Sequence, residues 1–412
     1  MKRSILHCDM NNFFASVELL EHPELKNTPV AVSGDTSQRH GIILAKNDLA
    51  KKAGVITAET VSSALSKCPK LKFLEPHYEK YSYYSQLIND IYLEYTDLVE
   101  PFSIDESWLD VTDSTNLFGA PEKIANEIRQ RVKSEFGLTL SAGVSYNKIF
   151  AKMGSEYKKP DAITVITESN FREMLWPLPI EKFFYVGKAT ASKLRNININ
   201  TIGDIAHADS ELLEKILGMH GLNLVRFAKG LDNTPVSSFY NNKDKVKSIS
   251  SGMTFKRDLL GYHDISLAVT DLSDKVSTKM RKQNIKAGGI RIEVTGSDFK
   301  KISKQISFRS NTNSSITLKK EIISLITKLD YMNTPIRLLT VTAINLTNSN
   351  KCEQLTFFSS SQGIHSTEMN KSLRDEKFDN VIDDIREKFG KESLQFAHVL
   401  KNDIGISAKK RV

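Results

Sequence analysis

Three carboxylates define the chemistry this chain could perform. Asp105 and Glu106 stand side by side in Ser103-Ile104-Asp105-Glu106-Ser107-Trp108-Leu109-Asp110, between two short strand-like runs, and Asp9 ends another apolar run, Ile5-Leu6-His7-Cys8. A rigid sheet holds acids on neighbouring strand ends a few ångströms apart, and clustered like charges are costly unless divalent cations neutralise them. Two Mg²⁺ ions about 3.5–4 Å apart, on hard oxygen ligands, can activate a hydroxyl and neutralise a phosphate leaving group. Any one of these acids alone reads as a hairpin-turn residue or a strand-end cap. Together they point to a two-metal site.

Such acids need a sheet to carry them, and the first 170 or so residues supply the pattern for one. Strands are predicted near Ser4–Asp9, Pro29–Val32, Gly41–Ala45, Leu71–Leu74, Pro101–Ile104, Trp108–Val111, Leu138–Val144 and Ala162–Ile166. Helices are predicted near Phe13–Leu20, Tyr78–Tyr95 and Pro121–Phe136, the last opening on a helix-compatible proline and stopping before Gly137. The order matches a ferredoxin-like β-α-β-β-α-β core with an insertion after the first helix. On this map Asp9 ends the first strand and Asp105 and Glu106 occupy the turn of the central hairpin.

At 412 residues the chain has room for three or four domains, and its 40% hydrophobic and 26% charged residues describe a globular rather than a disordered protein. No apolar stretch approaches the roughly 20 residues that span a bilayer, and Met1-Lys2-Arg3 leads into a strand too short and too soon acidic for a signal peptide. A cytoplasmic location is therefore expected. Cys8, Cys68 and Cys352 lack metal-ligand spacing and read as reduced, buried thiols. The net charge is +8, yet residues 241–320 alone hold 17 Lys or Arg against 7 Asp or Glu. There the cations alternate with apolar residues in runs such as Ile290-Arg291-Ile292-Glu293-Val294-Thr295, the pattern of a sheet offering charge to a polyanion. A solvated face is the plainer account of a single charge run. Nucleic acid is the natural partner for an excess this concentrated.

From about Leu178 to Val236 the texture changes to short helices broken by glycines, in Tyr185-Val186-Gly187-Lys188 and Leu217-Gly218-Met219-His220-Gly221. Two such units look like helix-hairpin-helix elements, whose helix starts direct N–H groups at a DNA phosphate, although glycine turns occur in any helical bundle. Residues 237–247 are polar, basic and aperiodic, and read as a tether. A small α/β unit is expected to about Asn348, then a tail with a late amphipathic helix around Phe378–Phe389.

Four stretches in order, Asp9–Glu18, Ser103–Val111, Ser141–Lys152 and Lys159-Pro160, resemble the Y-family, or translesion, DNA polymerases, particularly the bacterial DNA polymerase IV group. The resemblance runs from Ser4 to about Asn348. It implies an α+β multidomain fold: a ferredoxin-like palm over 1–177 with fingers inserted at about 20–77, a helix-hairpin-helix thumb over 178–236, a 237–247 linker, a separate α/β little finger over 248–348, and a 349–412 tail. It implies a DNA-templated DNA polymerase of the lesion-bypass type, of low fidelity and without proofreading, adding dNTPs to a primer 3′ end with two Mg²⁺ ions. Asp9, Asp105 and Glu106 would be catalytic and, with the Met10 carbonyl, would hold the metals. Phe14 matches the steric gate against a ribose 2′-OH, next to Phe13, although both could be plain core residues of an amphipathic helix.

Lys159 matches a phosphate-contacting lysine. The family's tyrosine and arginine on the fingers are replaced by Asp48 and Lys51, so Lys51 keeps the charge but loses the bidentate fork, and Lys46 or Lys52 could contribute instead. Gly187, Lys188, Gly218 and Gly221 would face primer-template DNA, and the little finger would grip it through its lysines. Gln354-Leu355-Thr356-Phe357-Phe358 looks like a bacterial sliding-clamp peptide, with Gln354, Leu355, Phe357 and Phe358 as anchors. A monomer is expected. The alternatives are a catalytically inactive, Y-family-like DNA-binding accessory protein of DNA repair, which should have lost its metal-binding acids, and a palm-type nucleotidyl cyclase, which needs no DNA-gripping domains.

Overall fold

Alternation along Ile5–Met10 (β1) determines how the acids are carried. All six residues are buried because the strand is central: Leu6, Cys8 and Met10 pack into one helical layer, which turns Ile5, His7 and Asp9 to the opposite face. The remaining strands of this half are Val30–Ser33 (β2), Ile43–Lys46 (β3), Lys72–Leu74 (β4), Val99–Pro101 (β5), Glu106–Asp110 (β6), Leu140–Ser145 (β7) and Ile163–Ile166 (β8). In this computed structural model they form a five-stranded sheet of order β5-β6-β1-β7-β8 and a three-stranded sheet of order β3-β2-β4. The structure describes residues 3–34, 41–239, 246–349, 364–390, 392–400 and 402–406, which fall into two units divided between 239 and 246.

The helices Phe13–Glu21, Tyr78–Leu93 and Pro121–Phe136 form the layer on Leu6, Cys8 and Met10. The third buries Ile124, Ala125, Ile128 and Val132 along one side and stops at Gly137, whose φ of 69° is the left-handed cap that glycine adopts most readily. The opposite face is covered by Lys148–Tyr157, started by the Asn147 side chain, which accepts from the Phe150 N–H at 2.7 Å. That helix lies very close to β7. A Cβ added to Gly143 would stand 1.8 Å from the Ala151 carbonyl oxygen.

The central hairpin differs from the sequence expectation. Its strands were expected at Pro101–Ile104 and Trp108–Val111, with both acids in the turn, but β5 ends at Pro101 and β6 begins at Glu106. The N–H groups of Phe102 and Ser103 both donate to the Glu106 carbonyl, at 2.8 and 3.2 Å, and close the turn early. Glu106 thereby becomes a strand residue, and only Asp105 stays in the turn.

The small sheet and the helices Asp48–Lys52 and Val61–Lys67 share a core of Ala31, Ile43, Ala50, Val55, Ala64 and Leu71. Helices Lys188–Arg195, Ile202–His207, Ser210–Leu217 and Met219–Ala228 pack with Ile149, Phe150 and Met153.

The second unit is an antiparallel sheet of Ile249–Leu259 (β9), Ile285–Gly296 (β10), Lys301–Thr312 (β11) and Ile336–Asn348 (β12), in the order β11-β10-β12-β9, with helices Gly261–Lys282 and Ser315–Lys328 against it. The chain beyond β12 is more than a tail. The helix Ile364–Phe389 brings Asp379 and Asp383 to Arg281, and Ile404 and Ile406 enter the core of this unit. Among the described residues no helix is long and apolar enough to cross a membrane.

Candidate active site

Asp9 and Glu106 are register partners across β1 and β6, so their side chains leave the same face of the sheet. Helix Lys148–Tyr157 covers that face and contributes a third acid, Glu156. One carboxylate oxygen each from Asp9, Glu106 and Glu156 lies within 4.8 Å of the others. Asp105 lines the same cleft, but its carboxylate is turned to the Ser103 hydroxyl, which donates to it at 2.6 Å, and its carbonyl accepts from the Met10 N–H at 3.1 Å. The acids expected from sequence thus share one cleft, with Glu156 rather than Asp105 completing the tight group.

Lysines hold this cluster together. Lys159 Nζ lies 2.7 Å from Asp9 Oδ1 and 2.9 Å from Glu156 Oε1, and Lys152 pairs with Glu106. Burial pushes the Asp9 carboxyl up to about 8 even though Lys159 pulls it the other way. Burial acts on Glu106 too, but the contacts from His7 and Lys152 outweigh it and hold that carboxyl at about 2. His7 lies 3.5 Å from Glu106 through Nε2, and burial pushes it down to about 4, so its ring is neutral near pH 7. Its Nδ1 lies 2.8 Å from the Ser155 hydroxyl and shares a hydrogen bond with it.

Lys152 and Glu156 stand four residues apart on one helical face, and Lys159 follows just beyond the helix end. That spacing was the signal for Glu156 and Lys152 that the reading of the sequence missed. His7 offered no signal, because a lone histidine in a strand carries no pattern.

Met10, Phe13 and Phe14 also line the cleft. Phe13 is buried in the helical layer, as a core residue would be. Phe14 is half-buried and stacks on Tyr81, with ring centres 4.1 Å apart and planes 9° from parallel. The Tyr81 hydroxyl donates to buried Glu18, which fixes the ring behind Phe14. On the small sheet, Lys46 lines the cleft, whereas Lys51 is exposed and does not. Asp48 accepts from Asn12 at 3.0 Å.

Gly187 and Lys188 are exposed at the start of Lys188–Arg195, and Gly218 is exposed at the start of Met219–Ala228. Gly221 is placed differently. It is buried, its N–H is spent on the Gly218 carbonyl, and a Cβ there would meet the Leu213 carbonyl at 2.2 Å, so it permits two helices to touch rather than presenting an amide. Gln354, Leu355, Phe357 and Phe358 lie outside the described residues.

Residues 8–156 match the impB/mucB/samB family, residues 246–357 its C-terminal domain, and residues 168–199 the helix-hairpin-helix motif of the same family. The chain is 42% identical over 407 residues to a DNA polymerase IV of Acetivibrio thermocellus, covering 99% of this chain and all of that protein. It is 33% identical over 402 residues to DNA polymerase IV 1 of Bacillus subtilis, covering 97% of this chain and 94% of that one. Among solved structures, a Y-family DNA polymerase chimera superposes with a TM-score of 0.73 at 24% identity, over 83% of this chain and 98% of that one, and shares its fold.

Proposed function

Because the chain belongs to the impB/mucB/samB family, the Y-family of translesion DNA polymerases, and is a DNA-directed DNA polymerase of the lesion-bypass type that uses primer-template DNA, dNTPs and divalent metal, we infer that its acid-lined cleft is the nucleotidyl-transfer centre. The opposition of Asp9 and Glu106 across two paired strands, with Asp105 beside them on one cleft, carries this reading. The residues fit divalent cations. Every candidate ligand atom is a hard oxygen, Asp9 Oδ2 is buried with no hydrogen-bond partner among the described residues, and burial disfavours the Asp9 charge in a way that a nearby dication reverses.

Asp9, Asp105, Glu106 and the Met10 carbonyl would hold two Mg²⁺ ions, which when bound activate the primer hydroxyl and neutralise the departing pyrophosphate. Asp105 leaves the Ser103 hydroxyl to join them. Lys159 turns from Asp9 and Glu156 toward the triphosphate. The Phe14 ring, backed by Tyr81, lies against the sugar and leaves no room for a ribose 2′-OH.

The exposed helix starts at Gly187-Lys188 and Gly218 hold DNA phosphates, and the basic second unit, with β11 at its edge, adds salt-sensitive and sequence-independent grip. Gln354-Leu355-Thr356-Phe357-Phe358 docks on the sliding clamp, and the polymerase works as a monomer. The Acetivibrio and Bacillus relatives are named DNA polymerase IV and DNA polymerase IV 1, which favours the enzyme over an inactive accessory protein. Primer extension on an undamaged template tests the reading, wild type beside the Asp105→Asn, Glu106→Gln double variant. Loss of extension in the variant alone supports it, and undiminished extension in the variant refutes the assignment.

A further inference from the structure

The lysines that reach the catalytic face are almost all neutralised. Lys159 pairs with Asp9 and Glu156, Lys152 with Glu106, and Lys148 with Glu100. Lys46 is the exception. It stands at the last position of β3, lines the same cleft as Asp9, Asp105 and Lys159, and among the described residues forms no ion pair. Its Nζ instead donates to the Thr57 hydroxyl at 2.9 Å, and Thr57 lines the cleft as well. Half-burial and then the charge of neighbouring Lys51 push its pKa down against the weaker pull of Glu59, so the cation is short of water and has no carboxylate in contact among the described residues. Such a side chain gains most from an anion that enters the cleft.

Resting on the polymerase reading, we propose that Lys46, steadied by Thr57, is the fingers-side contact for the triphosphate of the incoming nucleotide, in the role expected of Lys51. Lys51 sits in the last turn of the short Asp48–Lys52 helix, exposed and not among the residues that line the cleft, although its charge reaches Lys46. Asp48, two residues beyond Lys46, commits its carboxylate to Asn12 and is no donor to phosphate. Lys46 from the small sheet and Lys159 from the five-stranded sheet's side then grip the phosphates from two elements. That arrangement separates nucleotide charge from the acids that hold metal.

The test is the dissociation constant of the correct dNTP in a ternary complex of full-length protein, Ca²⁺ and dideoxy-terminated primer-template, together with KM and kcat for single-nucleotide addition. Loss of one charge-assisted contact in Lys46→Met should raise both the dissociation constant and KM about 10-fold or more, with kcat changed far less. Lys46→Arg should restore most of the affinity, Thr57→Val should weaken it by about 3-fold, and Lys51→Met should stay within about 2-fold of wild type. Melting temperature and primer-template affinity report whether Lys46→Met is folded, and Thr57→Val tests the same contact if it is not. Wild-type affinity in both Lys46→Met and Thr57→Val overturns the proposal, as does an equal loss in Lys51→Met. Failure of the wild-type protein itself to bind dNTP or extend a primer would strike the polymerase reading instead.

Discussion

Replacing Gly143 with alanine should cripple the centre without touching any charged group. Gly143 pairs with His7 on the face that carries Asp9, directly beneath helix Lys148–Tyr157. An added Cβ would lie 1.8 Å from the Ala151 carbonyl oxygen and 2.5 Å from the Ser155 nitrogen, where real contacts stay above 3.0 Å, so the helix must retreat by about 1.2 Å, the difference between 3.0 and 1.8 Å. Both obstacles are backbone and cannot rotate aside. Overpacking against backbone belongs at the upper end of the usual range, about 3 kcal/mol. At about 2–4 °C per kcal/mol for a domain of this size, the melting temperature should fall by about 6–12 °C. The retreating helix carries Lys152 and Glu156 and leads to Lys159, and a displacement near 1 Å at a reacting centre costs about 100-fold in rate. Thermal melts in chelator and kcat/KM for single-nucleotide addition measure the two effects. Gly34→Ala, where a Cβ meets open space, is the neutral control. A Gly143→Ala protein melting within about 1 °C of wild type, with kcat/KM within about 2-fold, would refute the idea that this glycine sets the helix against the sheet.

The same geometry has other measurable outcomes. Phe14→Leu should lower discrimination against ribonucleotides by about 100-fold while leaving dNTP addition largely intact, since the ring removed is half-buried and backed by Tyr81; competition between rNTP and dNTP reads this. In chelator, stability should fall as pH rises from about 6.5 to 8. Burial lifts Asp9 from 3.8 to about 8, so its contribution is complete below 3.8 and disappears as pH passes through about 8. His7, held down at about 4, opposes this only below 6.5, where its own contribution declines as pH falls. Asp9→Asn should flatten the decline above pH 6.5 in a melting series, and an unchanged slope would remove Asp9 as its source. In the second unit, Asp379 accepts from the Ser315 N–H and hydroxyl and pairs with buried Arg281. Asp379→Ala leaves Arg281 paired with Asp383 but strips the buried Ser315 N–H and hydroxyl of their acceptor, and should cost about 1–3 kcal/mol, visible as an earlier melting transition.

The sheet and the acids were legible in the sequence because the strands read as short apolar runs with acids at their ends. Leu6, Cys8 and Met10 alternate with His7 and Asp9, and the Pro121–Phe136 helix carries its start and stop signals at Pro121 and Gly137. The hairpin register was not legible. It rests on which carbonyl two turn amides choose, and the choice of Glu106 moves that acid from the turn into the strand. Lys46 and Lys51 could not be separated either, because cleft access depends on how the Ile43–Lys46 strand packs rather than on charge or spacing. The glycine pair at 218 and 221 looked alike in sequence, yet only the first is exposed. The residues after Asn348 look polar and tail-like, and their attachment is invisible until Asp379 meets Arg281 and Ile404 enters the core.

The acid cluster carries its own cations, which couples metal binding to nucleotide binding. Asp9, Glu106 and Glu156 lie within 4.8 Å of one another, and Lys152 from the helix and Lys159 from just beyond its end offset their negative charge. The two lysines differ in freedom. Lys152 lies over Phe102 and Phe184, at 5.1 and 5.4 Å from the ring centres, which holds it beside Glu106. Lys159 has no such rings among the described contacts and bridges Asp9 and Glu156 alone. A dication taking Asp9 therefore frees Lys159 for the triphosphate, and by reciprocity the nucleotide that captures Lys159 opens Asp9 to the dication. Lys159→Met should break this linkage in a recognisable way: without nucleotide, Mn²⁺ should bind more tightly than to wild type, since no cation competes for Asp9, while dNTP affinity falls and metal no longer improves it. Spin-resonance titration of free Mn²⁺ with and without dNTP measures both legs. If Lys159→Met instead weakens Mn²⁺ binding in the absence of nucleotide, Lys159 supports the metal site rather than occupying it, and metal and nucleotide are not coupled through this lysine.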